Sequence, residues 1–128
     1  MKSQKFSIKK LLNSFLYAFS GLKTALKEEH NVRIHLVATV LVVALSLFLN
    51  INKYEWFAVI FAIGFVFAME LFNSSIENMA DFISLEKNDT IRKIKDLSAA
   101  AVLVSAIAAL IIGLIIFLPK ICELCFKN

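Results

Sequence analysis

The segment WFAVIFAIGFVFAM, Trp56 to Met69, carries no charged side chain, and ELFNSSIENMAD, Glu70 to Asp81, follows it at once. A bilayer-spanning helix takes about 20 apolar residues. A helix over 54–82 therefore crosses a membrane, with Tyr54 and Trp56 suited to one interface and a polar end at the other. Two more apolar runs flank it, over 34–50 and over 97–118, the second closed by Pro119, which is expected to end its helix. The whole chain has 128 residues, 59% of them hydrophobic and 19% charged, and a mean hydropathy of +0.77. That composition excludes disorder. A soluble domain of this size keeps too much surface in water to hide so many apolar side chains. The expected fold is an all-α integral membrane domain over 1–128, with three transmembrane helices.

Ahead of the first span, Ile8, Leu11, Leu12, Phe15, Phe19, Leu22 and Leu26 fall on one face of a helix, with Lys9, Lys10, Lys23 and Lys27 off it. This helix, over 7–29, is expected to lie in the lipid interface rather than cross it. No early apolar core with a small-residue cleavage site marks a signal peptide. Orientation follows from the basic residues. Lys2, Lys5, Lys9, Lys10, Lys23, Lys27 and Arg33 precede span one, and Lys87, Arg92, Lys93 and Lys95 lie between spans two and three. The other two segments hold only Lys53, Lys120 and Lys127. The positive-inside rule then puts the N-terminus and the polar segment Ser84 to Asp96 in the cytoplasm. The net charge of +4 is spread over these segments without forming a block, which argues against nucleic acid as a partner. Cys122 and Cys125 have no second ligand pair near in sequence and read as free thiols rather than half of a zinc site.

The chemistry concentrates where span two leaves the membrane. Glu70, Asn73, Glu77 and Asp81 follow one another at +3, +4 and +4, which places them within about 80° on one helix face. Three carboxylates on one stripe repel, and an ionised group at membrane depth costs at least about 2.5 kcal/mol. A cation has to offset that cost. An interhelical salt-bridge cluster, a proton or ion pathway, and a divalent-metal site for a phosphate substrate all satisfy the requirement. An ion-transport subunit would continue its polar residues into the outer half of a span, where only Thr39, Ser46 and Ser105 interrupt the apolar runs of spans one and three.

A second acidic site favours the metal and phosphate reading. Glu28 and Glu29 close the surface helix at the level of Glu77, and Mg²⁺ commonly takes one or two carboxylates plus phosphate oxygens. Glu29 and Glu77 could share such an ion, with Lys95 as a phosphate clamp. Arg33 lies four residues from Glu29, the spacing of a helical ion pair, and His35 is placed to anchor at the interface. No G-x-x-x-x-G-K-[ST] and no kinase glycine loop occurs, so a nucleotide site here is neither a P-loop nor a protein-kinase fold.

The run Glu70-x-x-Asn73-Ser74-x-Ile76-Glu77-x-x-x-Asp81, followed by Lys95-Asp96-x-x-Ala99-Ala100-Ala101-Val102-Leu103, resembles the small bacterial lipid kinases of the prokaryotic diacylglycerol kinase and undecaprenol kinase family. Glu29-x-Asn31-x-Arg33-x-His35 and the ending Gly113-x-Ile115-x-Phe117-Leu118-Pro119 are similar to the undecaprenol kinase branch. The resemblance implies a homotrimer with shared active sites in the bacterial plasma membrane, using ATP and Mg²⁺ to phosphorylate a lipid alcohol, undecaprenol or diacylglycerol. It implies Glu70 as the catalytic base and Glu29 and Glu77 as metal ligands. It also implies nucleotide contacts from Lys10, Tyr17, Glu29, Glu77, Glu86, Lys87, Asn88, Lys95 and Asp96, with Asn73 and Asp81 in support. Lys10 stands where the family often has arginine, and a lysine lacks the bidentate fork that grips phosphate.

Overall fold

The computed structural model describes residues 5–127. These form four helices: α1 (Ile8–Glu28), α2 (His30–Phe48), α3 (Lys53–Ile83) and α4 (Asp89–Cys125). No strand occurs among the described residues. Helices α2, α3 and α4 are each long and apolar enough to cross a membrane. Ser7 caps α1 by accepting the Lys10 N–H, and only Ala25 of that helix is buried. Its apolar stripe, including Leu12, Phe15 and Phe19, is left open, which suits a helix seated on lipid.

A single extended residue, Glu29, separates α1 from α2. The last carbonyls of a helix lack intrahelical donors. Here Arg33 supplies them, its Nε donating to Leu26 O at 2.9 Å and its guanidinium also to Lys27 O. The expected Glu29–Arg33 pair is thereby replaced. Two orphaned carbonyls are a better partner for a five-donor fork than one carboxylate already beside water.

Helices α2 and α3 form a hairpin through Asn50, which adopts a left-handed φ of 51° that asparagine tolerates. Asn52 then starts α3 with a reciprocal capping box to Glu55. A small apolar core of Ile51, Val59, Ile116 and Phe117 fills the end of the bundle at this turn. Ser46 and Ser105 are fully enclosed and return their hydroxyls to Val42 O and Val102 O, both at 2.7 Å. Small side chains of this kind let membrane helices approach closely.

Helix α4 departs from expectation at both ends. It begins at Asp89 rather than near 97, because Asn88 accepts from the Thr90 and Ile91 N–H groups and converts most of the polar segment into helix. The loop shrinks to Ser84–Asn88. Its far end runs through Pro119 to Cys125 instead of stopping. Proline removes one donor from the helix, but packing on both sides outweighs that loss. Ile116 and Phe117 are held in the core, and Lys120 pairs with Glu55 of α3 at 3.4 Å. The two cysteines are exposed free thiols on this last turn.

Candidate active site

Each turn of the α3 stripe meets a different neighbour. Glu70 is 2% exposed, and its Oε1 lies 3.0 Å from Nε2 of His35 on α2. One turn on, Asn73 is buried and its Oδ1 accepts from the Ser98 hydroxyl of α4 at 2.7 Å. At the far end of the stripe, Asp81 ion-pairs with Lys95 of α4. Glu77 alone of the four has no hydrogen-bonding or ionic partner among the described residues. The three partnered positions are what a structural cluster provides; the fourth carboxylate is left over.

Glu29 is left over in the same way. It occupies the N-cap position of α2, yet its side chain makes no capping bond, and Arg33 is turned away to the end of α1. Both Glu29 and Glu77 are half-buried, where an unpaired charge costs more than at an open surface. Glu29 lines a groove of about 700 Å³ between α1 and α3, where Tyr17, Glu28, Ser74, Ser75 and Asn78 stand among apolar side chains such as Leu22 and Leu71. Ser74 contributes a buried hydroxyl with no hydrogen-bond partner. Buried polar atoms are rarely left orphaned, so an orphan on a groove wall marks a place for a ligand or water.

The remaining expected nucleotide residues are spread over the α1 start, the α3–α4 loop and the first turns of α4. Lys10 is exposed on the first turn of α1, and Glu86 and Lys87 are exposed in the α3–α4 loop. Asn88 spends its side-chain oxygen on capping α4, which leaves only its amide N–H₂ for a ligand. Lys95 faces α3, whereas Asp96 lies on another face of α4, in a shallow depression with Asp89, Arg92 and Lys93. No group of three His, Cys, Asp or Glu able to hold a metal ion occurs among the described residues.

Three contributors were not singled out as site residues from the sequence. His35 was read as an interfacial anchor, but it holds Glu70. Ser98 follows Lys95 by one helical turn, a spacing that puts both on the side of α4 facing the stripe. Ser74 has no sequence signal beyond its place beside Asn73.

A second groove, of about 380 Å³, runs between α2, α3 and α4 from Leu118 and Ile121 at the end of the α2–α3 hairpin turn to His35 at the other. Apart from His35 and Thr39 its walls are apolar. The Thr39 hydroxyl is turned back to the His35 carbonyl at 2.7 Å, so the His35 ring is the polar feature of that wall. One groove beside α1 thus holds Glu29 and the Ser74 hydroxyl, and a second, apolar groove reaches His35, the partner of Glu70.

The sequence model of prokaryotic diacylglycerol kinase matches residues 16–117. An undecaprenol kinase of Bacillus subtilis is 32% identical over 120 residues, 94% of this chain and 98% of the relative. A diacylglycerol kinase of Haemophilus influenzae is 33% identical over 105 residues, 82% of this chain and 86% of the relative. One from Synechocystis is 33% identical over 115 residues, covering 89% of this chain and 66% of the relative. With three membrane-crossing helices and an acidic stripe at their polar end, the chain belongs to the prokaryotic diacylglycerol kinase family, a family of lipid kinases.

Proposed function

We propose that this kinase transfers the γ-phosphoryl group of ATP to the hydroxyl of undecaprenol, giving undecaprenyl phosphate at the cytoplasmic face of a bacterial plasma membrane. The observation that supports it most is the sorting of carboxylates into those with a basic partner and those without. Glu55, Glu70 and Asp81 each have a basic partner, whereas Glu29 and Glu77 are half-buried without one. Two half-buried carboxylates without a partner, one of them in the wall of the α1–α3 groove, suit an incoming cation.

Glu29 and Glu77 would hold Mg²⁺, a hard cation that takes one or two carboxylates and completes its shell with phosphate oxygens and water. The donors available here fit a metal nucleotide better than a bare ion, since no cluster of three ligands is preformed among the described residues. When bound, the ion supplies neutralisation of phosphate charge. Tyr17 and Glu29 line the α1–α3 groove that receives the nucleotide, and the orphaned Ser74 hydroxyl gives it a donor. Lys10, Glu86, Lys87, Asn88 and Asp96 contact it from the rim. Lys95 exchanges Asp81 for phosphate when nucleotide enters, which places its charge where the leaving group forms. Glu70 supplies the basic centre, deeper than the metal ligands and at the level of the lipid hydroxyl. Phosphoryl transfer asks mainly for positioning and charge neutralisation, so this set suffices.

We also take the working unit to be a homotrimer. Glu77 and Glu29 are only half covered within one chain, and the flanks of α2 to α4 leave many large apolar side chains open. Neighbouring copies complete the site. The Bacillus subtilis relative, matched nearly end to end, favours undecaprenol over diacylglycerol. Purified protein with ATP and Mg²⁺, offered each lipid side by side, tests this. Phosphorylation of undecaprenol well above diacylglycerol is expected; the reverse preference makes it a diacylglycerol kinase, and labelling of neither removes the kinase reading.

A further inference from the structure

The last turn of α4 carries two thiols that the phosphoryl chemistry does not use. Cys122 and Cys125 are both exposed and free. They stand three residues apart in one helix, which sets their Cα atoms about 5 Å from each other. A disulfide spans Cα separations of about 4.4–6.8 Å, so the pair is within reach. Their Cβ atoms must still close from about 5–6 Å to about 3.5–4.5 Å, which requires the turn to tighten. In the middle of a helix the flanking turns resist that movement. Here Cys125 is the last helical residue, Phe126 has left the helical backbone, and the final backbone bond of the helix runs from the Phe126 N–H to Cys122 O at 3.0 Å. Just before the pair, the Lys120–Glu55 ion pair anchors α4 to α3, so the movement is confined to residues 121–126.

We propose that Cys122 and Cys125 form a reversible dithiol–disulfide site on the outer face of the membrane, oxidised by exchange with disulfides there. The inference goes beyond the kinase reading and takes from it only the orientation of the chain. Lys95 meets the stripe near one end of α4, and Cys122 lies about 40 Å farther along the same helix, so a cytoplasmic phosphoryl site puts the thiols outside, where disulfides persist. In the first step one cysteine thiolate attacks an external disulfide, a mixed disulfide forms, and one external thiolate leaves with the electron pair of the broken S–S bond. The second cysteine thiolate then attacks the cysteine sulfur of the mixed disulfide. The Cys122–Cys125 bond forms and a second external thiolate leaves. The two leaving thiolates take up the two protons, so the pair is oxidised by two electrons and the external disulfide is reduced by two. The bridge closes a very short loop, which adds little to stability, and the tightened turn it needs makes it easy to reduce. The site therefore follows the surrounding redox state rather than stapling the fold.

The test reads mass and labelling, not activity. Full-length protein in micelles is equilibrated with glutathione disulfide, then treated with a polyethylene glycol maleimide. The chain is expected to take no label, to be about 2 Da lighter than its reduced form, and to accept two labels after reduction with dithiothreitol. Two thiols that stay free, glutathione held at both positions, or cross-links between chains in place of the internal bridge would overturn the proposal. Cys122→Ser and Cys125→Ser remove the resolving thiol, and at least one of them is expected to accumulate the glutathione adduct; no adduct on either overturns it as well. Location is read on intact cells with a membrane-impermeant maleimide, after reduction from outside. Labelling of both cysteines is expected, and labelling only after the cells are opened would overturn the proposal by placing the pair inside. A protein that phosphorylates no lipid would remove the kinase reading and leave these mass and labelling results as they are, which separates the two failures.

Discussion

The Ser98 hydroxyl donates to Oδ1 of Asn73 at 2.7 Å and also lies 2.9 Å from Lys95 O, tying α4 to the middle of the α3 stripe where both side chains are buried. This link sits between the turn of Glu70 and the turn of Glu77. Ser98→Ala leaves the Asn73 oxygen without its donor, and stability is expected to fall by about 1–3 kcal/mol. Denaturant unfolding in micelles measures it; no change would mean that water or a neighbouring subunit replaces the hydroxyl.

Pro119 offers the opposite sign. It sits inside α4 and deprives the helix of one N–H donor. Because Phe117 and Lys120 fix the helix on either side, Pro119→Ala is expected to retain the helix and gain about 1–3 kcal/mol. The same unfolding experiment checks it, and a loss of stability would mean that the proline's shape is used in packing.

Assembly is checked by native mass measurement in detergent. Trimers are expected to carry the activity. Fully active monomers would show that one chain completes the site alone.

The parts of this architecture that were legible in the sequence are those set by local periodicity. The 3.6-residue repeat aligns Glu70, Asn73, Glu77 and Asp81 whatever surrounds them, and continuous apolar runs mark α2, α3 and α4. The partners of the stripe were not legible, because His35 and Ser98 lie 35 and 25 residues away and reach it only through helix packing. Two local rules were overridden by tertiary structure. Pro119 is carried through by core contacts and the Lys120–Glu55 pair, and the charged run after Asn88, which has the composition of a loop, is helical once capped. Arg33 shows the same limit: its four-residue spacing from Glu29 is right for an ion pair, but the broken backbone at Glu29 presents carbonyls that claim it.

Glu29 is expected to behave as a ligand rather than a structural group. Glu29→Gln removes a hard oxygen charge without breaking any side-chain bond seen at that cap, so the fold persists while the KM for ATP rises tenfold or more, about 1.4 kcal/mol. Raising Mg²⁺ is expected to recover part of that loss. Unchanged nucleotide affinity at all Mg²⁺ concentrations would remove Glu29 from the ligand set.

The central claim is a division of labour along α3, with Glu77 serving the metal nucleotide and Glu70 the acceptor proton. ATP binding by calorimetry and undecaprenol phosphorylation, measured on the same preparations of Glu70→Gln and Glu77→Gln, test it most directly. The account predicts that Glu70→Gln binds ATP within a few-fold of the parent while its turnover falls by about 10² or more, and that Glu77→Gln loses ATP binding. Retained turnover in Glu70→Gln, or undiminished ATP binding in Glu77→Gln, would contradict it.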